Sequence, residues 1–158
     1  MSELPVPQPL TIKTQWTYML SNYAILQVFR LITEHLNDLR RSCHDDVLTL
    51  NIKLLEARNA ISPHFQLPVS GLDPEDPHFA KRAQLDIFYN KLRCVLHRKY
   101  MVRGTEDSVR ECVEAALALL HHQQLFHQYK AQHPKHIRWH TFSISNHDFI
   151  LAATISCL

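Results

Sequence analysis

Residues 85–122, LDIFYNKLRCVLHRKYMVRGTEDSVRECVEAALALLHH, decide the fold. Leu85, Phe88, Leu92, Val95 and Leu96 recur in steps of three and four, which puts them on one helix face. Val109, Cys112, Val113, Ala116, Leu119 and Leu120 do the same further on. Gly104, one of only two glycines, marks the break between them, because it tolerates the positive φ that a helix end often needs. Ser108 followed by Glu111 reads as a capping box, hydroxyl and carboxylate each taking an orphan backbone N–H. The spacing predicts helices over 77–103 and 106–130. So short a turn makes them antiparallel neighbours.

Outward from this pair the same periodicity continues. Residues 15–41 predict a long helix with a seam at Ile25, Phe29, Ile32, Leu36 and Leu39, and with Leu20, Val28 and Leu31 on another face. The seam can be a coiled-coil dimer contact or a core stripe. Only about two heptads are present where a coiled coil needs three or four, so the core stripe is preferred. Residues 45–61 predict a second helix, opened by Asp45 and Asp46 and ended before Pro63. Its main stripe is Leu48, Ile52 and Leu55, with Val47 and Leu54 beside it. Residues 62–76 hold three prolines and Gly71 and read as a loop. Asp76-Pro77 then suits a helix start, with the aspartate as cap and proline in the first turn. Residues 131–145 read as a polar, histidine-rich connection around Pro134. Asn146 is a candidate cap for a very apolar last helix, 147–158. The fold class is all-α, an irregular array of antiparallel helices and helical hairpins. Residues 1–13, with prolines at 5, 7 and 9, are expected to be an unstructured lead-in.

A resemblance rests on several of these residues together. Leu96, His97 and Arg98, then Ser108, Cys112, Ala115 and Ala116 after a short gap, resemble the Leu-His-Arg-Pro and Ser-x-x-x-Cys-x-x-Ala-Ala pattern of the fungal-specific transcription factor domain. Lys99 stands where that pattern has proline. Trp139, then His147, Asp148, Phe149 and the run ILAATISCL, is similar to the domain's next helix, and Thr14–Leu20 and Leu54–Ile61 are similar in kind. The domain is the middle regulatory region of fungal binuclear-zinc-cluster activators. The resemblance implies residues 14–158 as a partial regulatory domain, incomplete on its C-terminal side. It also implies a nuclear setting, and action through protein partners or the remainder of a longer chain. Zinc is expected only in an upstream six-cysteine DNA-binding cluster, so no cofactor is expected in this chain and no direct nucleic-acid contact.

Composition narrows the alternatives. A net charge of +2 does not by itself imply nucleic acid. The longest apolar run, about ten residues, is half of what a membrane span needs. Cys43, Cys94, Cys112 and Cys157 form no C-x-x-C pair and read as reduced, mostly buried thiols of an intracellular protein. No G-x-S-x-G, phosphate-cradling loop or H-E-x-x-H occurs, so no enzyme is predicted. A Cys112–His97 pair is considered and set below a buried thiol. His133, His136 and His140 have metal-ligand spacing, but Pro134 interrupts them and no carboxylate or cysteine joins them. Lys91, Arg93, Arg98, Lys99 and Arg103 make a modest basic ridge, read as a solvated face rather than a phosphate contact. His97 and Arg98 can alternatively serve as cations near a helix C-terminus. The competing readings are a stand-alone helical interaction protein, a truncated gene product, and a histidine-rich metal protein or enzyme.

Overall fold

The computed structural model describes residues 14, 16–38, 43–68, 71–73, 75–132 and 140–157, with the side chains within 129–132 and 140–147 left aside. The described residues form five helices: α1 (Thr17–Asn37), α2 (His44–Asn59), α3 (Phe79–Met101), α4 (Glu106–Gln132) and α5 (His140–Ser156). The fold is all-α. The lead-in 1–13, Leu39, Arg40, Arg41, His133, His136 and Trp139 lie outside the described residues.

Helix α3 is the centre. It packs against all four other helices, whereas among the described residues α1 and α2 touch neither α4 nor α5. Two stripes on α3 explain this. Leu85, Tyr89, Leu92, Leu96 and Tyr100 enter a cluster with Ile25 and Ile32 of α1 and Val47 and Leu54 of α2. Ile87 and Cys94 enter a second cluster with Cys112, Ala115, Ala116 and Leu119 of α4 and Phe149, Ala152 and Ile155 of α5. A helix buried on two sides carries little amphipathic contrast, because apolar residues surround it.

The α3–α4 turn is built as the glycine suggests. Gly104 has φ +79°. Its N–H donates to Met101 O at 2.9 Å, and the Thr105 N–H donates to Tyr100 O at 3.2 Å. These two bonds form a Schellman closure around a left-handed residue. Thr105 then accepts from the Val109 N–H at 2.9 Å, so α4 begins at Glu106. Ser108 therefore lies inside the first turn and is no cap. Its hydroxyl goes elsewhere, as does Glu111.

Other boundaries move for local reasons. Asp76 does not cap α3 directly. Its Oδ1 accepts from the His78 N–H at 2.8 Å, an Asx turn, and its Oδ2 lies 3.2 Å from Arg82. This turn consumes Pro77 and His78, and the helix starts at Phe79. Helix α5 starts at His140, well before Asn146, so much of the predicted 131–145 connection is helical. Asn and Ser are only weak helix breakers, so a helix can run through them. In α2 the two faces are exchanged relative to the main stripe read from sequence. Val47, Leu50, Leu54 and Ala57 are buried, and Leu48, Ile52 and Leu55 face outward. In α1 the inner stripe is Thr17, Ser21, Ile25, Val28 and Ile32, with Phe29 at its edge, its ring 5.9 Å from that of Phe88.

Candidate functional site

The motif residues meet at the α3–α4 hairpin, and they meet as packing. His97 is buried, and its Nδ1 lies 3.2 Å from Ser108 Oγ across the hairpin. Burial lowers the His97 pKa, with nearby Arg93 acting in the same direction and Glu111 against it. A neutral imidazole fits this place, so the alternative of His97 as a helix-end cation does not hold. Arg98, its neighbour, is exposed. Leu96 faces the α1–α2 side. Cys112 pairs with Cys94, not with His97. Each thiol points at the other's backbone carbonyl, at 3.8 Å from Cys94 and 3.7 Å from Cys112. The contact with Cys112, together with burial, pushes the Cys94 thiol well above its ordinary range. Ala115 and Ala116 are fully buried and keep α4 close to α3. Cys43 and Cys157 are exposed, contrary to the expectation of mostly buried thiols.

A polar seam runs along the same interface. Asp86 of α3 is buried, and its Oδ2 accepts from Asn90 Nδ2 at 2.9 Å and lies 2.7 Å from His122 Nε2 of α4. The Arg58 guanidinium approaches Asp86 Oδ1 at 3.5 Å from α2 and stacks 4.6 Å above the Tyr89 ring. Further along, Arg93 donates to Glu111 Oε2 from Nε at 3.0 Å and from its terminal nitrogen at 2.8 Å. Burial works against the Arg93 charge, but the hydrogen bond and charge of Glu111 outweigh it and raise its pKa. Lys91 Nζ lies 2.6 Å from Asp148 Oδ1 of α5, and Asp148 is fully buried. Phe149 beside it enters the α4–α5 core.

The predicted basic ridge is therefore not one solvated face. Two of its five cations, Lys91 and Arg93, are turned into α4 and α5 as ion pairs. Arg103 lies 5.6 Å over the Tyr100 ring. Neither the Asp86 centre nor the Lys91–Asp148 pair is read from the sequence, where Lys91 appears only in the basic ridge and Asp148 only as a motif position. Among the described residues no three His, Cys, Asp or Glu side chains converge as a metal site, and the side chains of the His133–His136–His140 set are not among them. Beside Asp86 a cleft of about 370 Å³ opens between the end of α2, residues 61–67 and α3, lined by Arg58, Phe65, Arg82 and Tyr89 among others. Both guanidiniums there already hold carboxylates of the chain itself.

Among exposed charged and polar groups, the described surface also carries apolar stripes. Leu48, Ile52 and Leu55 line the outer face of α2, and Val109, Val113 and Leu117 that of α4. Helix α1 is the extreme case, with Trp16, Met19, Leu20 and Tyr23 each more than half exposed. Among the described residues no helix is long and apolar enough to cross a membrane.

The described residues thus form a helical module with a polar seam between α3 and its neighbours and apolar stripes on its outer faces. The chain is homologous to fungal Zn(2)-C6 transcription factors, matching them over nearly its whole length in the regulatory region that its motifs resemble. It is 30% identical over 165 residues to the Zn(2)-C6 fungal-type transcription factor mpsB of Macrophomina phaseolina (strain MS6), covering 99% of this chain and 22% of that protein. It is 28% identical to the Zn(2)-C6 fungal-type transcription factor pigI of Monascus ruber, covering 98% and 20%. To the equisetin cluster transcription factor eqxF of Fusarium heterosporum it is 26% identical, covering 98% and 23%. The chain thus spans about a fifth of the length of the curated relatives it matches. No family model and no solved structure matches it. A Zn(2)-C6 cluster takes six cysteines. The four here lie apart, two of them locked in the α3–α4 interface, so they do not fit that group.

Proposed function

We propose that this chain is a partial regulatory region of a fungal transcription factor, comprising residues 14–158, and that it works in the nucleus through protein contacts and not by touching DNA. It does so without a catalytic step and without a metal of its own. The observation that carries the reading is the division of polar and apolar groups. Lys91 and Arg93 are committed to Asp148, Glu111 and Glu114 inside the helix array. A phosphate-binding surface needs cations free to displace counterions. The outward stripes on α1, α2 and α4 are apolar, as contact surfaces are at their centres. The homology to transcription factors supports the setting. The name of eqxF adds a specific form of it, a regulator dedicated to one product cluster.

The test joins the chain to an unrelated DNA-binding domain in a fungal reporter strain. Reporter output is expected to change several-fold, and Ile52→Lys on the outer face of α2 is expected to cut that change without altering the fusion's level. The isolated chain is expected not to retard duplex DNA at low salt. Salt-sensitive DNA binding that weakens on Arg98→Ala, or a fusion indistinguishable from the DNA-binding domain alone, overturns the reading.

A further inference from the structure

We infer that the cleft beside Asp86 binds a small organic anion with an apolar body, and that the Arg58 guanidinium is its anchor. The inference goes beyond the protein-contact reading and does not depend on it. The cleft measures about 370 Å³. That falls within the range of small-molecule sites, roughly 300–1,000 Å³. Its apolar walls are core side chains, Ile61, Phe65, Leu85 and Tyr89, all of them buried. The segment that closes it is held as well. The Phe65 and Gln66 N–H groups donate to Ser62 O at 2.8 and 3.1 Å, and Gln66 Nε2 donates to Ile61 O at 2.8 Å. The Ser62 N–H donates in turn to Ser21 Oγ of α1 at 3.2 Å. Such a site exists before its ligand arrives, which lowers the ordering cost of binding.

The polar groups select the charge of the occupant. Two guanidiniums and one carboxylate line the cleft. The carboxylate, Asp86, already receives Asn90 and His122 at its Oδ2. Arg82 is engaged twice, through Nε to His64 O at 3.3 Å and through a terminal nitrogen to Asp76 at 3.2 Å. Arg58 is less committed. It reaches Asp86 with one terminal nitrogen at 3.5 Å, and its side chain is 40% exposed. A strong charge-assisted bond is shorter, about 2.7–2.9 Å. The cation lies 4.6 Å over the Tyr89 ring, which holds it in place and leaves its in-plane donors available. A planar fork with unused N–H groups beside apolar walls matches a carboxylate or sulfonate carried on an aliphatic or aromatic body. A cationic ligand meets two like charges there, and a neutral apolar one leaves the fork unmatched. Through Arg58, Asp86 and His122 the bound anion also touches the polar seam that joins α2, α3 and α4.

Fluorescence titration of the 158-residue chain with 8-anilinonaphthalene-1-sulfonate, in parallel with uncharged N-phenyl-1-naphthylamine, tests this. The sulfonate is expected to bind with a Kd on the order of 10–100 μM, from the binding efficiency of ligands of its size. Arg58→Gln is expected to weaken it about tenfold and to leave the uncharged dye within about twofold. Amide shifts on the parent chain locate the site whether or not that variant folds. The sulfonate is expected to move amides of residues 58–67 and 82–89. Shifts centred on the outer stripes of α1, α2 or α4 mean that it binds exposed apolar surface, and overturn the inference. No binding at about 1 mM overturns it, as does an Arg58→Gln chain that keeps its melt and binds the sulfonate as before. If the chain binds the sulfonate at the cleft while the reporter fusion stays silent, the cleft stands and the regulatory reading fails. The reverse result keeps the regulatory reading and removes the cleft.

Discussion

The two sides of α3 are held by different means. Toward α1 and α2 the contact is area: branched aliphatics and tyrosines such as Leu92, Leu96, Tyr89, Ile25 and Leu54. Toward α4 and α5 the contact is proximity: Cys112, Ala115, Ala116 and Ala152 let the helices close, and Asp86, Asn90 and His97 on α3 fill the remaining places with hydrogen bonds. Bulky apolar packing is non-directional and adjusts when a neighbour changes size. Paired polar groups in a tight interface have one good arrangement, and removing a partner leaves a buried group unsatisfied. The α1–α2 layer is therefore the adaptable part of the molecule, and the α3–α4–α5 layer the one that fixes register.

The sharpest way to break this contrast is Asp86→Ala. It leaves His122 and Asn90 without their carboxylate, and the expected loss is about 3–5 kcal/mol in urea unfolding. Replacing Asp86 and His122 together by leucine removes that buried pair as a unit and leaves Asn90 its bond to the Asp86 backbone carbonyl. It is expected to recover most of that loss. If the double variant is as unstable as the single one, the seam is held by shape and not by its hydrogen bonds. Next comes Leu92→Ala on the opposite face, expected to cost about 3 kcal/mol. Its signature is regional. Amide exchange in α1 and α2 is expected to accelerate more than in α4 and α5, because among the described residues α3 alone links the two layers. A uniform acceleration removes the distinction between layers. Smaller again is Ala116→Leu. The α4 backbone lies close to α3 there, and overpacking is expected to cost about 1–3 kcal/mol in the same unfolding assay. A neutral result means that the interface yields as readily as the aliphatic one.

The same contrast governs what the sequence reveals. Apolar spacing identified the helices and the side of α3 that is held by area, and Gly104 located the turn, because large apolar side chains and a lone glycine are themselves the signal. The other side of α3 was hidden. Phe79, Ala83, Asn90, Cys94 and His97 also recur at helical spacing, but a pattern that counts only apolar residues passes over Asn90 and His97. Lys91–Asp148 and Asp86–His122 join residues far apart in the chain, where no local rule applies. Ser108-Glu111 had the form of a cap, yet helix α4 began earlier and released both side chains to α3, as His97–Ser108 and Arg93–Glu111. The stripes of α2 reversed because both of its faces are apolar, and spacing cannot say which one meets the core. The motif resemblance brought forward His97, Ser108, Cys112 and Ala116, and they converge on the hairpin.

The finest distinction between the layers is in their response to pH, and His97 isolates it. Burial lowers its pKa in the folded chain below the ordinary value near 6.5. Between the lowered and the ordinary pKa the unfolded chain binds more protons, so stability rises with pH in that interval. The contribution is complete above the unfolded pKa and is lost as pH falls through about 6.5 toward the folded value. His97→Asn can keep a hydrogen bond to Ser108 Oγ without titrating. The expected outcome is a shallower loss of stability below pH 6.5 than in the parent chain, with little change at pH 8, measured by urea midpoints at both ends. The two proteins differ only at position 97, so the difference in slope belongs to His97. Equal slopes mean that His97 is solvated and charged in the folded chain, and the α3–α4 interface is then looser at its turn end than at Asp86.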